Sequence, residues 1–310
     1  LRVAFLGTPD FAVPTLNRLI AHPNYHVVAV FTQPDRPKGR GGALAASPVK
    51  QAAIARGIPI YQPERIRREE SVTLLRSLQL DVIVVVGYGQ ILPQTIIDIP
   101  RHGIINVHAS LLPKYRGAAP IQWAIANGET HTGVTTMQID AGLDTGDMLL
   151  QWATPIGPEE TAPELSARLA QAGAGLLIET LERIAAGTLE RTPQDHSQAT
   201  LAPILKKEDG LINWLWDANK IHARARGFTP WPGAYTTFRG QLLHVWKCRV
   251  QSPSSPLAPG AVAVEGRRLL VGSGNSTALE LLEVQLPGRK RMPADAFVNG
   301  YRLTNQEILG

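Results

Sequence analysis

A single cysteine among 310 residues, Cys248, excludes an intrachain disulfide framework and fits a reducing compartment, so a cytoplasmic protein is expected. Its place in the alternating run Leu-His-Val-Trp-Lys-Cys-Arg-Val makes it a structural residue. The eight histidines show no His-Glu-x-x-His or comparable ligand spacing, and no metal site is expected. No apolar run approaches the roughly 18 residues that suggest a membrane span, so no membrane partner is expected. The opening Leu1-Arg-Val-Ala-Phe-Leu-Gly7 reads directly as a strand, leaving no room for the charged and apolar regions of a secretory leader. Position 1 is not Met, so a few preceding residues are expected. Gly7 lacks the second and third glycines of Gly-x-Gly-x-x-Gly, which removes the cradle for a dinucleotide phosphate and disfavours a nicotinamide-dependent oxidoreductase.

What is present is an ordered composition, 44% apolar and 18% charged, at a length that suits two domains. Strands over 3–6, 26–32, 58–61 and 81–86 alternate with helices ending near 21, 56 and 78, the pattern of a parallel sheet with covering helices. Further strands are expected over 132–139 and 148–154. Thr161 caps a long helix, 162–186, which Gly187 closes. Periodicity then fades over 188–207. After a helix near 217–226, short alternating strands at 242–250, 261–264 and 279–284, separated by Gly and Pro clusters, favour a small β-barrel. The expected fold is therefore α/β: a Rossmann-like, mostly parallel sheet domain over 1–187, a linker over 188–207, and a smaller OB-like barrel over 208–310.

Charge is unevenly placed. Residues 1–190 carry 16 Lys and Arg against 17 Asp and Glu, whereas 191–310 carry 15 against 9. Clustered cations, with Lys247, Arg249, Arg267, Arg268, Arg289, Lys290 and Arg291 on the barrel, suit a polyanion as well as they suit a merely soluble basic surface. Trp231, in Thr-Pro-Trp-Pro-Gly, reads as a packing residue.

The most informative stretch is 104–120, Ile-Ile-Asn-Val-His-Ala-Ser-Leu-Leu-Pro-Lys-Tyr-Arg-Gly-Ala-Ala-Pro. Its first residues form a buried strand, on which Asn106 and His108 project from one face. One is an amide that can donate to a carbonyl oxygen; the other can move a proton near neutral pH. Alone, the pair also reads as a strand end, with Asn bonding its turn and His satisfied in the core. A second loop, Met137-Gln-Ile-Asp-Ala-Gly-Leu-Asp-Thr-Gly-Asp-Met148, brings three carboxylates, one of which can orient the imidazole and favour its charged form.

Together Asn106, His108, Ser110 to Pro113, Arg116-Gly117 and Asp140-x-Gly142-x-Asp144-x-Gly146 resemble the 10-formyltetrahydrofolate-dependent formyltransferase family. The loop Gln33-Pro-Asp-Arg-Pro-Lys-Gly-Arg-Gly41 resembles the branch that acts on methionyl-tRNA, although Gly42-Ala-Leu-Ala-Ala is neutral where that branch often carries more lysines. The resemblance implies formyl transfer from 10-formyltetrahydrofolate, used as co-substrate, to the α-amine of initiator methionyl-tRNA by a monomer. It implies catalytic roles for Asn106, His108 and Asp144, folate contacts from Ser110, Leu111, Leu112 and Pro113, and a pterin pocket partly formed by the loop 87–93. It implies tRNA contacts from Arg36, Lys38 and Arg40. Two related chemistries stay open: a sugar-nucleotide formyltransferase, which lacks the 33–41 loop and this form of the Asp loop, and a formyltetrahydrofolate hydrolase, in which water replaces the amine. Outside the class stands a non-catalytic RNA-binding module, for which Asn106 and His108 would be dispensable.

Overall fold

β-Branched runs such as Val82-Ile-Val-Val-Val86 bury both faces, as a strand inside a covered parallel sheet must. The computed structural model, which describes residues 1–38, 43–253 and 255–310, places such runs at the centre of a seven-stranded sheet. In chain order the first elements are β1 (Arg2–Gly7), α1 (Val13–Ala21), β2 (His26–Phe31), the antiparallel pair β3 (Arg36–Lys38) and β4 (Ala43–Ala45), α2 (Pro48–Ile54) and β5 (Ile60–Tyr61). Then come α3 (Glu69–Ser77), β6 (Val82–Val86), α4 (Gln94–Ile97), β7 (Ile104–His108), β8 (Arg116–Gly117), α5 (Pro120–Ala126), β9 (His131–Gln138), β10 (Met148–Pro155), α6 (Ala162–Ala186) and β11 (Leu201–Ala202). Ser47 caps α2 as its sequence suggests, its hydroxyl accepting from Lys50 N at 3.0 Å with Pro48 at the first helical position.

The sheet order is β10-β9-β7-β6-β1-β2-β5. Pairings β7-β6, β6-β1, β1-β2 and β2-β5 are parallel, while β9 runs antiparallel to β7. Strand order reverses between β1 and β6, so the crevice beyond their carboxyl ends, beside the end of β7, is the natural place for a ligand. Among the described residues, no helix is long and apolar enough to cross a membrane.

The chain divides into two compact units. The first holds Leu1–Pro120, Thr132–Thr154 and Ser166–Ala202; the second holds Ile121–His131, Pro155–Leu165 and Pro203–Gly310. The segment 188–207, expected as a linker, is bonded into structure: Thr192 bridges Met148, and β11 pairs with β8.

The remaining elements are α7 (Ala218–Gly227), β12 (Ala234–Phe238), β13 (Gln241–Gln251), β14 (Val262–Glu265), β15 (Arg268–Ser273), β16 (Thr277–Gln285), β17 (Met292–Pro293) and α8 (Ala294–Tyr301). They form an antiparallel sheet of order β12-β13-β16-β15-β14, with β17 on β16, over a core that includes Ile221, Leu243, Val245, Leu279 and Phe297. The expected OB-like barrel is not closed among the described residues. Its edges are occupied instead: Ile212 N donates to Tyr235 O of β12 at 2.8 Å, and Val262 N of β14 donates to Glu307 O at 3.0 Å. Edge strands satisfied in this way have no free ladder left to close on each other. Cys248 is buried on this sheet, and burial, with the nearby Glu159 charge, pushes its thiol up to about 12. Trp231, by contrast, is 56% exposed, which corrects the expectation of a packing role.

Several of the sheet's cations are paired. Glu280 is buried and accepts from Arg249 Nε at 2.8 Å and Gln251 Nε2 at 3.2 Å, with Arg268 Nη2 at 3.4 Å. Burial pushes its carboxyl up, but hydrogen bonding and charge from Arg249 and Arg268 more than offset this and leave it below its ordinary range. A carboxylate depressed in the folded state adds stability above its unfolded pKa, which is lost as pH falls through the folded value. Glu280→Gln is therefore expected to destabilise the second unit by about 1.5–3 kcal/mol at neutral pH. The difference from the wild type should shrink in acid, as urea unfolding of the full chain across pH would reveal.

Candidate active site

The site is built on β7. Asn106 and His108 leave one face of the strand, while Val107 points oppositely, toward α6, where a Cβ placed on Gly173 would lie 2.8 Å from Val107 Cγ1. Asn106 and His108 are 8% and 6% exposed. Across from them stands the loop 139–147, which follows β9. Its Asp144 brings Oδ1 to 3.3 Å from Asn106 Nδ2 and Oδ2 to 3.7 Å from His108 Nδ1. Gly117 N also donates to Asp144 Oδ2, at 2.9 Å. On the other side of the ring, His108 Nε2 lies 2.9 Å from Tyr115 O. A carbonyl oxygen only accepts, so Nε2 is the donor there. Both ring nitrogens thus face acceptors.

The loop's three aspartates have separate tasks. Asp140 braces the loop itself, accepting from Gly142 N at 3.0 Å and from the Thr145 hydroxyl at 2.7 Å. Asp144 faces the histidine from a left-handed backbone at φ +51°, a conformation that Asp tolerates better than most residues but that needs support from its surroundings. Asp147 acts through its carbonyl, which accepts from Gln138 N at 2.9 Å. Two glycines are sterically required. A Cβ on Gly146 would overlap Gln138 O, and one on Gly117, at φ +117°, would stand 2.8 Å from Ala202 O.

The segment Ser110 to Pro113 lies beside this cluster with several of its polar groups already used. Ser110 Oγ donates to Lys114 O at 2.6 Å, Leu112 N donates to Thr135 Oγ1 at 3.2 Å, and Leu112 O accepts from Gln151 Nε2 at 2.9 Å. Leu111 and Pro113 remain half-buried, presenting apolar surface. The turn after β6 is stitched across the reversal point of the sheet, with Tyr88 O accepting from Thr8 Oγ1 at 3.2 Å and Gln33 Nε2 at 3.1 Å. Arg36 is exposed on β3, beside Asp35, whose carboxylate is held by Lys50 at 2.6 Å and Gln62 at 2.7 Å. The side chain of Lys38 and all of Arg40 lie outside the described residues.

Sequence reasoning missed Gln194, Thr200 and the structural task of Arg116. Tyr115 N donates to Thr200 Oγ1 at 2.8 Å, and Arg116 donates into Gln194. These contacts join single polar residues to distant backbone and leave no periodic trace.

The formyl transferase family profile matches residues 1–181, and that of the formyl transferase C-terminal domain matches 204–302. A methionyl-tRNA formyltransferase of Solibacter usitatus (strain Ellin6076) is 63% identical over 310 residues, covering 100% of this chain and 99% of the relative. The protein of the same name from Koribacter versatilis (strain Ellin345) is 57% identical over 99% of this chain and 98% of the relative. Among solved structures, a sugar 3N-formyl transferase in the presence of dTDP and 5-N-formyl-THF superposes with a TM-score of 0.68 at 17% identity, over 94% of this chain and 99% of that one, a likeness of fold. Matched along its whole length at such identity, the chain belongs to the methionyl-tRNA formyltransferases of the formyl transferase family.

Proposed function

We propose that this chain transfers the formyl group of 10-formyltetrahydrofolate to the α-amine of methionyl-tRNA, giving N-formylmethionyl-initiator tRNA. The observation that carries the reading is full-length identity of 63% to a methionyl-tRNA formyltransferase. The clustering of Asn106, His108 and Asp144 supplies the chemistry. Attack of an amine on a formyl carbon passes through a tetrahedral oxyanion. Asn106 has two amide hydrogens, of which one is directed to Asp144 and the other is left to donate to that oxygen. His108 takes the proton that the attacking amine loses and returns one to the departing nitrogen. The imidazolium formed in between finds an acceptor at each N–H, Tyr115 O on one side and Asp144 on the other. Apolar Leu111 and Pro113, with the turn at Gly87, form the wall against which the pterin of the folate rests. A single buried cysteine and an aminoacyl-tRNA acceptor together support a cytoplasmic setting.

The tRNA is held through its phosphates. Arg36 in the first unit is one contact, and Lys38 and Arg40 belong to the same loop. In the second unit, the turn before β17 carries Arg289, Lys290 and Arg291, all exposed. Arg291 stacks on Trp246 at 3.6 Å, and Trp246 stacks on His244 at 5.4 Å between ring centroids. Among the described residues, the side chains of Arg289 and Lys290 carry no ion pair and are available to phosphate. Replacing both by Ala is expected to raise KM for tRNA about 10-fold, leave kcat unchanged, and reduce the log–log salt slope by roughly 2. Steady-state kinetics at several salt concentrations check this.

The acceptor is tested by supplying 10-formyltetrahydrofolate together with methionyl-tRNA, glycinamide ribonucleotide or water alone. Formylated tRNA as the product supports the reading. Tetrahydrofolate release without formylated tRNA would assign the chemistry to hydrolysis instead.

A further inference from the structure

We propose that Gln194 is a positioning residue whose side-chain amide fixes the backbone carbonyls of Asp144 and Gly146 and so holds the Asp144 carboxylate at His108. The proposal rests on the catalytic reading of Asp144 above.

Every hydrogen-bonding position of the Gln194 amide is taken. Its Oε1 accepts from Arg116 Nε at 3.0 Å and Nη2 at 2.7 Å. Its Nε2 donates to the carbonyls of Asp144 at 2.9 Å and Gly146 at 2.7 Å. An amide has two lone pairs and two hydrogens, so nothing is left over, and the reverse orientation would set donors against donors. Both Gln194 and Arg116 are buried. Arg116 Nη2 has one further neighbour, His196 Nδ1, at 3.1 Å.

The consequence is local. Asp144 sits at φ +51°, a backbone state that must be imposed from outside, and Gln194 bonds the carbonyls at Asp144 and two residues beyond it. The same short strand grips the loop twice. Gly117 N holds the Asp144 carboxylate, while Arg116, through Gln194, holds its backbone. The segment 188–207 reaches the other side of His108 as well. Thr200 Oγ1 accepts from Tyr115 N, and Thr200 O accepts from Arg116 N at 2.8 Å, which fixes the residue whose carbonyl faces His108 Nε2. Both acceptors flanking the imidazole are therefore held by one stretch that contributes no group to the chemistry.

Gln194→Glu tests this. It keeps the side-chain volume and the pairing with Arg116 but sets a carboxylate oxygen against two carbonyls. With the full chain, 10-formyltetrahydrofolate and methionyl-tRNA, kcat should fall about 10- to 100-fold while both KM values stay within about 2-fold, since displacement near 1 Å costs on this order. In an Asp144→Ala background the same change should cost less than about 2-fold, because its effect acts through Asp144. Multiplication of the two effects, or loss through KM alone, would overturn the proposal. An Asp144→Ala variant at the wild-type rate would instead overturn the catalytic reading beneath it. Where Gln194→Glu does not fold, Gln194→Met, uncharged and similar in length, takes its place with the same expectations.

Discussion

Replacing Asn106 by Ala is expected to lower kcat for formyl transfer by about 10²- to 10³-fold, the loss of about 2.7–4 kcal/mol seen when an oxyanion donor is removed. KM should change little, because the hydrogen bond strengthens only as charge develops on the formyl oxygen. Asn106 has a second task that sharpens the test. Its Nδ2 lies 3.3 Å from Asp144 Oδ1, so Asn106→Asp would bring two carboxylates together where an amide now donates. That variant should be at least as inactive as the alanine variant, although it is nearly the same size. Steady-state kinetics on both variants, with melting curves to establish folding, decide the matter.

Loss of His108 is expected to be of similar or larger size. General acid–base groups contribute about 10²- to 10⁴-fold, and His108→Ala should fall in that range with tRNA and folate binding retained. The ring is buried between Tyr115 O and Asp144, so its removal takes away both the proposed proton carrier and a partner of two acceptors. Tyr115 O then needs another donor, whereas the Asp144 carboxylate keeps Gly117 N and Asn106 Nδ2, so stability is lost as well as rate. His108→Gln can still donate to Tyr115 O through its amide, but it cannot carry a proton. Stability recovered without activity in that variant would separate the structural part of the His108 effect from the chemical part. Direct binding of methionyl-tRNA, compared with transfer rate, supplies the second readout.

Much of the first sheet and the placement of Asn106 and His108 in the candidate site were legible in the residues. Uniform apolar runs such as 82–86 announce a strand covered on both faces, and the two-residue spacing of Asn106 and His108 places them on one side of β7. Which of three aspartates serves His108 could not be read from spacing. It depends on a left-handed backbone at Asp144 and on Asp140 being consumed within its own loop. The contacts made by the stretch 188–207, expected as a linker, were not legible for a related reason. Its role rests on single-residue contacts by Gln194 and Thr200 to a strand some 80 residues away, and such contacts carry no period. The second unit was legible as a basic module of short alternating strands, expected to form an OB-like barrel. That the barrel is not closed among the described residues was not legible, because closure depends on what covers β12 and β14, and the covering segments at 211–212 and 305–308 have no strand pattern. Its charge was also only half legible: Arg249, Arg267, Arg268 and Arg291 find acidic partners within the sheet and on α8, which leaves the 289–290 turn as the more available cationic surface.

The most direct measurement is single-turnover formyl transfer with methionyl-tRNA and 10-formyltetrahydrofolate both saturating, for the wild type, Asn106→Ala, His108→Ala and the double variant. Groups acting as one unit are strongly non-additive, so the double variant should lie within about 10-fold of the slower single one, and all three should trail the wild type by about 10² or more. Transfer by folded His108→Ala at the wild-type rate would contradict the assignment of this cluster as the catalytic centre.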